Sequence, residues 1–227
     1  DLAKLKDGDA GELRIAVECH TCYDWLMPAM DSYRDVWPGV ELDLLGGFQA
    51  DPVGLLLDQH ADLVITSERA PRAGVVYVPL FGFEMLALLP PGHPLASKKW
   101  LAPADFADHT LITYPVPEDR LDLIRRVLAP AGVKPPRREA QLTVAILQLV
   151  ASRRGLAALP AWAVAQYLER GYIVARPIGK HGLWAELYAA VRETDAARAF
   201  VADFIDTVKR DSFARLPGIR ADLAAQN

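Results

Sequence analysis

Apolar positions along the chain follow two periods, one typical of strands and one typical of helices. Residues 13–17 and 40–44 alternate between apolar and polar side chains, which predicts half-buried strands. Leu26, Met30, Tyr33 and Trp37 recur at helical spacing between them and predict a helix that begins just before Pro28. Residues 63–65 are continuously apolar, as in a strand covered on both faces.

The alternation of strand and helix patterns continues through the rest of the chain. Further strands are predicted at 75–80, 85–89, 111–113 and 156–159. Further helices are predicted at 53–59, 104–107, 121–128, 144–154, 163–170 and 196–210. Gly155 and Gly171 are predicted to end the two helices that precede them. The sequence therefore predicts an α/β fold with mostly parallel strands.

Composition narrows the class of protein. The 227 residues are 52% hydrophobic, enough for one large domain or two small ones, and the net charge is −4 from 25 basic and 29 acidic residues. Because its net charge is negative, we do not expect this chain to bind the phosphate backbone of DNA by itself. The sequence shows neither a secretory signal nor an apolar run long enough to span a bilayer, so we expect a cytoplasmic location and no membrane partner.

The turn that follows the first strand carries the most informative chemistry. Unpaired N–H groups at the start of the next helix favour a small anion, and His20, Thr21 and Cys22 lie in this turn. We expect His20 and Thr21 both to form and cap the turn and to contact a ligand. Cys19 and Cys22 have Cys-x-x-Cys spacing, but His-Thr between them is unusual for a redox pair. A closed zinc site would need further ligands, so we favour a pocket wall over a redox or metal site.

Five other polar or aromatic positions also stand where a ligand could be bound. Thr66 and Ser67 follow the third strand, at the carboxyl end where ligands gather in α/β sheets, although an ordinary loop would look the same. Tyr114 leaves another strand in the same way, and Thr143 precedes a helix, which makes it a cap first and a ligand contact second. Trp184 could pack over an apolar ligand stem or belong to the core.

No catalytic arrangement emerges from the sequence. It contains no Gly-x-Ser-x-Gly elbow, P-loop, Gly-x-Gly-x-x-Gly or His-Glu-x-x-His motif. We therefore predict that the protein is not an enzyme, has no catalytic residues and uses neither a cofactor nor a metal.

A series of short motifs, taken together, resembles the effector-binding domain of LysR-type transcriptional regulators. The motifs lie at residues 13–15, 26–28, 37–40, 62–67, 92–95, 111–115, 155–160 and 187–191. The resemblance implies two Rossmann-like lobes joined by two crossing strands, 84–89 and 186–191, in a periplasmic-binding-protein-like (type 2) fold. Lobe I would comprise residues 1–84 plus 186–227, and lobe II residues 85–185.

The same resemblance implies a function. It predicts a fragment that senses a small-molecule effector in the cleft between its lobes, with a winged helix-turn-helix upstream that binds DNA. The run Glu18-Cys19-His20-Thr21-Cys22 is similar to a branch of the family that responds to L-homocysteine and activates methionine biosynthesis genes.

The resemblance also predicts partners. We expect a homodimer or homotetramer that contacts RNA polymerase, with antiparallel contacts between opposite lobes of two subunits. The first helix is the expected surface for these contacts, because it has more apolar side chains than one sheet-facing stripe requires.

The alternative function is a periplasmic solute-binding protein for a small amino acid or anion.

Overall fold

The computed structural model describes residues 11–17, 20–46 and 51–221, with only the backbone described at His20. The strands in these ranges are β1 (Gly11–Val17), β2 (Val40–Gly46), β3 (Leu63–Thr66), β4 (Val75–Leu89), β5 (Leu111–Thr113), β6 (Arg137–Glu139), β7 (Leu156–Pro160), β8 (Val174–Pro177), β9 (Leu183–Arg192) and β10 (Ile219–Arg220). The α-helices are α1 (Tyr23–Val36), α2 (Gly54–Leu57), α3 (Thr143–Ala151), α4 (Ala161–Glu169) and α5 (Ala199–Arg215). The α/β class predicted from periodicity is confirmed.

The chain forms two compact units. Unit 1 comprises residues 1–82 and 186–227, and unit 2 comprises residues 83–185. Strands β4 and β9 each begin in one unit and end in the other. Among the described residues, no helix combines the length and apolar character that crossing a membrane requires.

Unit 1 has a sheet with the strand order β2-β1-β3-β9. Strand β1 pairs in parallel with β2 and β3, and β3 pairs antiparallel with β9. Helix α1 packs against α5 through aromatic side chains. The Tyr33 hydroxyl donates to the carbonyl of Phe200 (2.9 Å), and Trp37 Nε1 donates to Asp203 (2.8 Å). Tyr33 is completely buried, and burial raises the pKa of its hydroxyl above its usual value.

An ion-pair network fastens three strands of unit 1 together. Asp62, just before β3, accepts hydrogen bonds from Arg14 of β1 at 2.9 and 3.0 Å and from Arg192 of β9 at 2.6 Å. Arg192 also donates to the carbonyls of Leu56 and Ala61 at 2.9 and 2.7 Å. Burial by itself would raise the pKa of Asp62, but the hydrogen bonds from the two arginines outweigh it and lower that pKa to about 2.

Within unit 2 the strand order is β4-β7-β5-β6. Strand β5 is parallel to both β6 and β7, whereas β4 is antiparallel to β7. An apolar cluster that includes Leu89, Phe106 and Leu128 forms part of the core of this unit. Because β5 and β6 are parallel neighbours, their carboxyl ends lie side by side. The loops that follow them leave the same edge of the sheet.

Several predicted elements differ from those observed. Helix α1 begins at Tyr23, so Pro28 lies inside the helix, where it cannot donate to the carbonyl four residues earlier. The segments predicted as strands 75–80 and 85–89 are one continuous strand, β4. The predicted helix at 104–107 is a 3-10 turn, Pro103–Phe106, and the helix predicted at 121–128 is largely a π-helix, Ile124–Leu128.

The two predicted stop glycines have different roles. Gly171 follows α4 with a positive φ, as predicted for a helix end. Helix α3 instead ends at Ala151, and Arg153 takes the positive φ after it. At Gly155 a Cβ atom would lie 2.2 Å from the carbonyl oxygen of Thr110, so this glycine permits a close approach of two backbones.

Candidate functional site

In unit 1 the predicted site residues lie in two loops at one edge of the sheet. Strands β1 and β3 are parallel neighbours with Val17 opposite Ile65, so the chain leaves both strands at the same edge. Thr21 and Cys22 follow β1 and are buried. Thr66 at the end of β3 is also buried, whereas Ser67 is exposed. The structure therefore places these residues at the carboxyl ends of neighbouring strands, as the sequence predicted.

The turn before α1 differs from the predicted cap. His20, Thr21 and Cys22 form a 3-10 helix that runs directly into α1, and Cys22 rather than Thr21 occupies the N-cap position. The Cys22 side chain is completely buried. Cys19, the second member of the Cys-x-x-Cys pair, lies outside the described residues, as does the side chain of His20, so their predicted roles stay predictions.

Unit 1 holds a charged and aromatic group at this edge that sequence reasoning missed. Tyr188 on β9 pairs directly with Thr66 on β3. The Arg69 guanidinium lies over the Tyr188 ring, with its Cζ 5.8 Å from the ring centroid. The Tyr188 hydroxyl donates to Glu186, and burial together with this bond raises the pKa of Tyr188. The only sequence signal was a charged pair, Glu68 and Arg69, directly after the predicted ligand-binding residues.

In unit 2 the structure joins two hydroxyl groups that the sequence identified separately. The Tyr114 hydroxyl and Thr143 Oγ1 are 2.6 Å apart, and either can donate to the other. Thr143 was predicted to cap a helix first, but it is the first residue of α3, and Leu142 occupies the N-cap position. The Thr143 hydroxyl therefore joins the start of α3 to the loop after β5 and does not act as the predicted cap.

Arg137 holds the Tyr114 loop in place. Its Nε donates to Thr113 Oγ1 (2.7 Å), and its Nη2 donates to the carbonyls of Tyr114 (2.9 Å) and Val116 (2.6 Å). The same guanidinium pairs with Glu139 at 3.1 Å. These three hydrogen bonds, all donated by one side chain, fix the backbone that carries the Tyr114 hydroxyl. Sequence reasoning missed this role, because two of the acceptors are backbone carbonyls.

A small cavity of about 30 Å³ lies beside Tyr114 in unit 2. Thr113, Tyr114 and Asp122 contribute its polar wall. The apolar wall consists of Met85, Leu111, Leu121, Leu123, Ile124, Ala158 and Leu159. This volume accommodates one or two water molecules or a small chemical group.

Trp184 also belongs to unit 2 and is half-buried on β9. It is not among the residues that line the cavity. Its carbonyl accepts a hydrogen bond of 2.6 Å from Arg126, which follows the cavity residue Asp122 on the next helical turn. A Cβ atom on Gly182 would come within 2.9 Å of Trp184 Nε1 and 2.6 Å of Glu84 Oε1. The glycine therefore lets the indole lie close to this carboxylate.

Metal-ligating side chains are scattered in the part of the chain that the structure describes. Within residues 11–17, 20–46 and 51–221, no three His, Cys, Asp or Glu side chains are grouped so that they could hold a metal ion. His93 and His109 form an edge-on ring pair with centroids 5.1 Å apart. Partial burial, His109 and Arg153 lower the pKa of His93. This pair lies in unit 2.

Comparison with known sequences identifies a family model and similar proteins. The model of the LysR substrate binding domain matches residues 6–212. The transcriptional regulator MetR of Haemophilus influenzae is 54% identical over 219 residues, which cover 96% of this chain and 71% of the relative. MetR of Salmonella typhimurium is 44% identical over 209 residues, which cover 92% of this chain. The chain spans 66% of the length of this second relative.

Comparison with solved structures agrees with the sequence match. The regulatory domain of MetR from N. meningitidis, a LysR family regulator, superimposes with a TM-score of 0.87 at 54% identity. The match covers 93% of this chain and 99% of that domain. The similarity therefore extends over both units.

Proposed function

The chain belongs to the LysR substrate-binding domain family, and from this membership we propose that it senses L-homocysteine for a regulator of methionine biosynthesis genes. It is the effector-binding domain of a LysR-type regulator, with the type 2 periplasmic-binding-protein-like fold of that family. The relatives are transcriptional regulators and not enzymes, and they favour regulation over the alternative of periplasmic solute binding.

The observation that carries the proposal is the 54% identity to MetR proteins along nearly the whole chain. Homocysteine as the effector is what the resemblance to MetR implies. A zwitterionic amino acid requires donors for its carboxylate, an acceptor for its ammonium group and an apolar lining for its stem. Thr21, Thr66 and Ser67 of unit 1 supply hydroxyl and backbone donors. Cys22 supplies a soft, apolar surface for the thiol-bearing stem.

Unit 2 has candidate effector contacts of its own. Tyr114 and Thr143 form a hydroxyl pair that can either donate to a ligand or accept from it. His20 and Trp184 complete the proposed set of effector contacts. The ligand regulates by binding one arrangement of the protein better than another, because only a difference in affinity shifts an equilibrium.

The proposed regulator acts on DNA through an upstream winged helix-turn-helix domain. We expect the whole protein to function in the cytoplasm as a homodimer or homotetramer and to contact RNA polymerase as an activator. These expectations rest on the family resemblance, since the chain spans only part of its relatives.

The surface proposed for self-association needs revision. Met30 and Tyr33 of α1 are buried within unit 1, so most of the apolar surface of this helix serves its own core. Met27 and Val36 stay exposed on α1. Leu142 and Val144 are exposed at the start of α3. We propose that α1 and α3, which belong to different units, both contribute to contacts between subunits.

A thermal-shift measurement tests the proposed sensing function. L-Homocysteine should raise the melting temperature of the domain, because a ligand that binds only the folded state stabilises it. Recovery of the amino acid unchanged after incubation separates sensing from catalysis. A melting temperature that does not move at millimolar homocysteine under reducing conditions would contradict the proposal. A matched titration with homoserine, in which a hydroxyl replaces the thiol, reports whether sulfur is recognised.

A further inference from the structure

Arg69, Tyr188 and Glu186 form a compact group on one face of the unit 1 sheet. Glu186 and Tyr188 are two residues apart on β9, so their side chains point to the same side of the strand. Tyr188 faces Thr66 across the antiparallel pair, and the Arg69 guanidinium lies over the Tyr188 ring. The group thus stands beside the Thr66 and Ser67 loop.

Arg69 keeps hydrogen-bond donors that a ligand can use. A guanidinium has five N–H donors, and the side-chain hydrogen bond of Arg69 with Tyr188 uses only part of them. Arg69 is exposed, and within the described parts of the chain no carboxylate oxygen forms an ion pair with it. Its neighbour Arg72 differs, because Arg72 already pairs with Asp51 at 2.8 Å.

The other two members of the group strengthen this arrangement. Tyr188 is 6% exposed, so its ring is a fixed platform. The hydrogen bond from its hydroxyl to Glu186 places a negative charge at the ring edge, which favours a cation over the ring face. Glu186 is half-buried, and a carboxylate can accept several hydrogen bonds, so its bond with Tyr188 leaves capacity for a further donor.

We propose that Arg69 binds the carboxylate of the effector and Glu186 its ammonium group, with Tyr188 holding the two charges at a fixed separation. This pairing selects α-amino acids over simple acids or amines. The inference rests on the proposed function, because it concerns the same effector and adds two charged contacts to it.

Two homocysteine analogues make the proposal testable charge by charge. 4-Mercaptobutanoate keeps the carboxylate but lacks the ammonium group, and 3-aminopropane-1-thiol keeps the ammonium group but lacks the carboxylate. Arg69→Met should weaken binding of homocysteine and 4-mercaptobutanoate at least tenfold, the loss expected when a charge-assisted bond is removed. The same variant should leave 3-aminopropane-1-thiol binding within twofold of wild type.

Three further variants complete the design. Glu186→Gln should show the opposite selectivity and weaken the amine while sparing the acid. Arg69→Lys keeps the charge but not the planar fork, so its affinity for homocysteine should fall between those of wild type and Arg69→Met. Arg72→Met is the matched control, because it removes an exposed arginine from the same loop, and its affinity for homocysteine should stay within twofold of wild type.

The outcomes separate this inference from the proposed function. Wild-type protein that does not bind homocysteine would overturn both. Suppose that wild type binds homocysteine. An unchanged dissociation constant in Arg69→Met, or an equal loss of affinity in Arg72→Met, would then overturn the role of Arg69 alone. Equal weakening of all three ligands by Arg69→Met would show general damage and would also contradict the proposal. Melting curves of each variant verify that the fold is retained.

Discussion

Replacing Asp62 with asparagine should destabilise unit 1 substantially, because this carboxylate joins β1, β3 and β9. Asp62 is paired with both Arg14 and Arg192, and its side chain is 15% exposed. Asparagine is nearly the same size but carries no charge, so the variant removes the electrostatic component while retaining one acceptor.

The magnitude follows from the pKa of the carboxyl group. That pKa is lowered from 3.8 to about 2, and each unit corresponds to about 1.4 kcal/mol, so the charge contributes about 2 kcal/mol at neutral pH. The variant also leaves two partly buried guanidinium groups with weaker partners. We therefore expect the free energy of unfolding at pH 7 to fall by about 2–3 kcal/mol.

The pH dependence provides a second check. A carboxyl whose folded pKa is lowered contributes its full stability only above its unfolded pKa of 3.8, and loses it as the pH falls through about 2. The difference in unfolding free energy between wild type and Asp62→Asn should therefore be constant at neutral pH. It should shrink to about half near pH 3 and nearly vanish at pH 2.

Urea unfolding at several pH values, combined with hydrogen exchange, measures this prediction. Exchange should speed up in β1, β3 and β9 and stay unchanged in β5 and β7 of unit 2. Asp31→Asn is the control, since the pair of Asp31 with Arg34 is exposed and should contribute less than about 1 kcal/mol. Equal stability of the two variants, or a difference that does not change with pH, would refute the reasoning about Asp62.

Three further predictions concern the proposed site. Thr21→Val should weaken effector binding without unfolding the domain, and an unchanged dissociation constant in the folded variant would remove Thr21 from the site. Tyr114→Phe and Thr143→Val should be non-additive in effector affinity, because their hydroxyls share one hydrogen bond of 2.6 Å; additive losses in a double-mutant cycle would contradict this coupling. Arg137→Met should weaken effector binding severalfold and loosen the Tyr114 loop in hydrogen exchange, whereas Arg138→Met, on the exposed neighbour, should match wild type in both assays.

Local patterns were sufficient to predict most of the fold. Strands β1, β3, β5 and β7 follow from alternation or continuous apolar runs, which depend only on which faces are covered. The boundaries were less predictable. Local patterns predicted two strands, 75–80 and 85–89, but the buried Phe81 and Phe83 between them belong to one continuous strand.

For the candidate site, too, residues with a local sequence pattern were predicted and contacts between distant residues were not. Thr66, Ser67 and Tyr114 were predicted because each follows a strand, and this position is visible in sequence. The contact between Tyr114 and Thr143 joins residues 29 positions apart, so local capping preference led to the wrong role for Thr143. The position of Arg69 over Tyr188 depends on strand pairing between distant segments, and no local pattern reports it.

Calorimetric titration of the domain with L-homocysteine, methionine, cysteine and homoserine tests the central claim most directly. We expect saturable binding of one homocysteine per chain, tighter than the binding of the other three amino acids. Absence of homocysteine binding, or tighter binding of homoserine or methionine, would contradict the assignment of this domain as a homocysteine sensor.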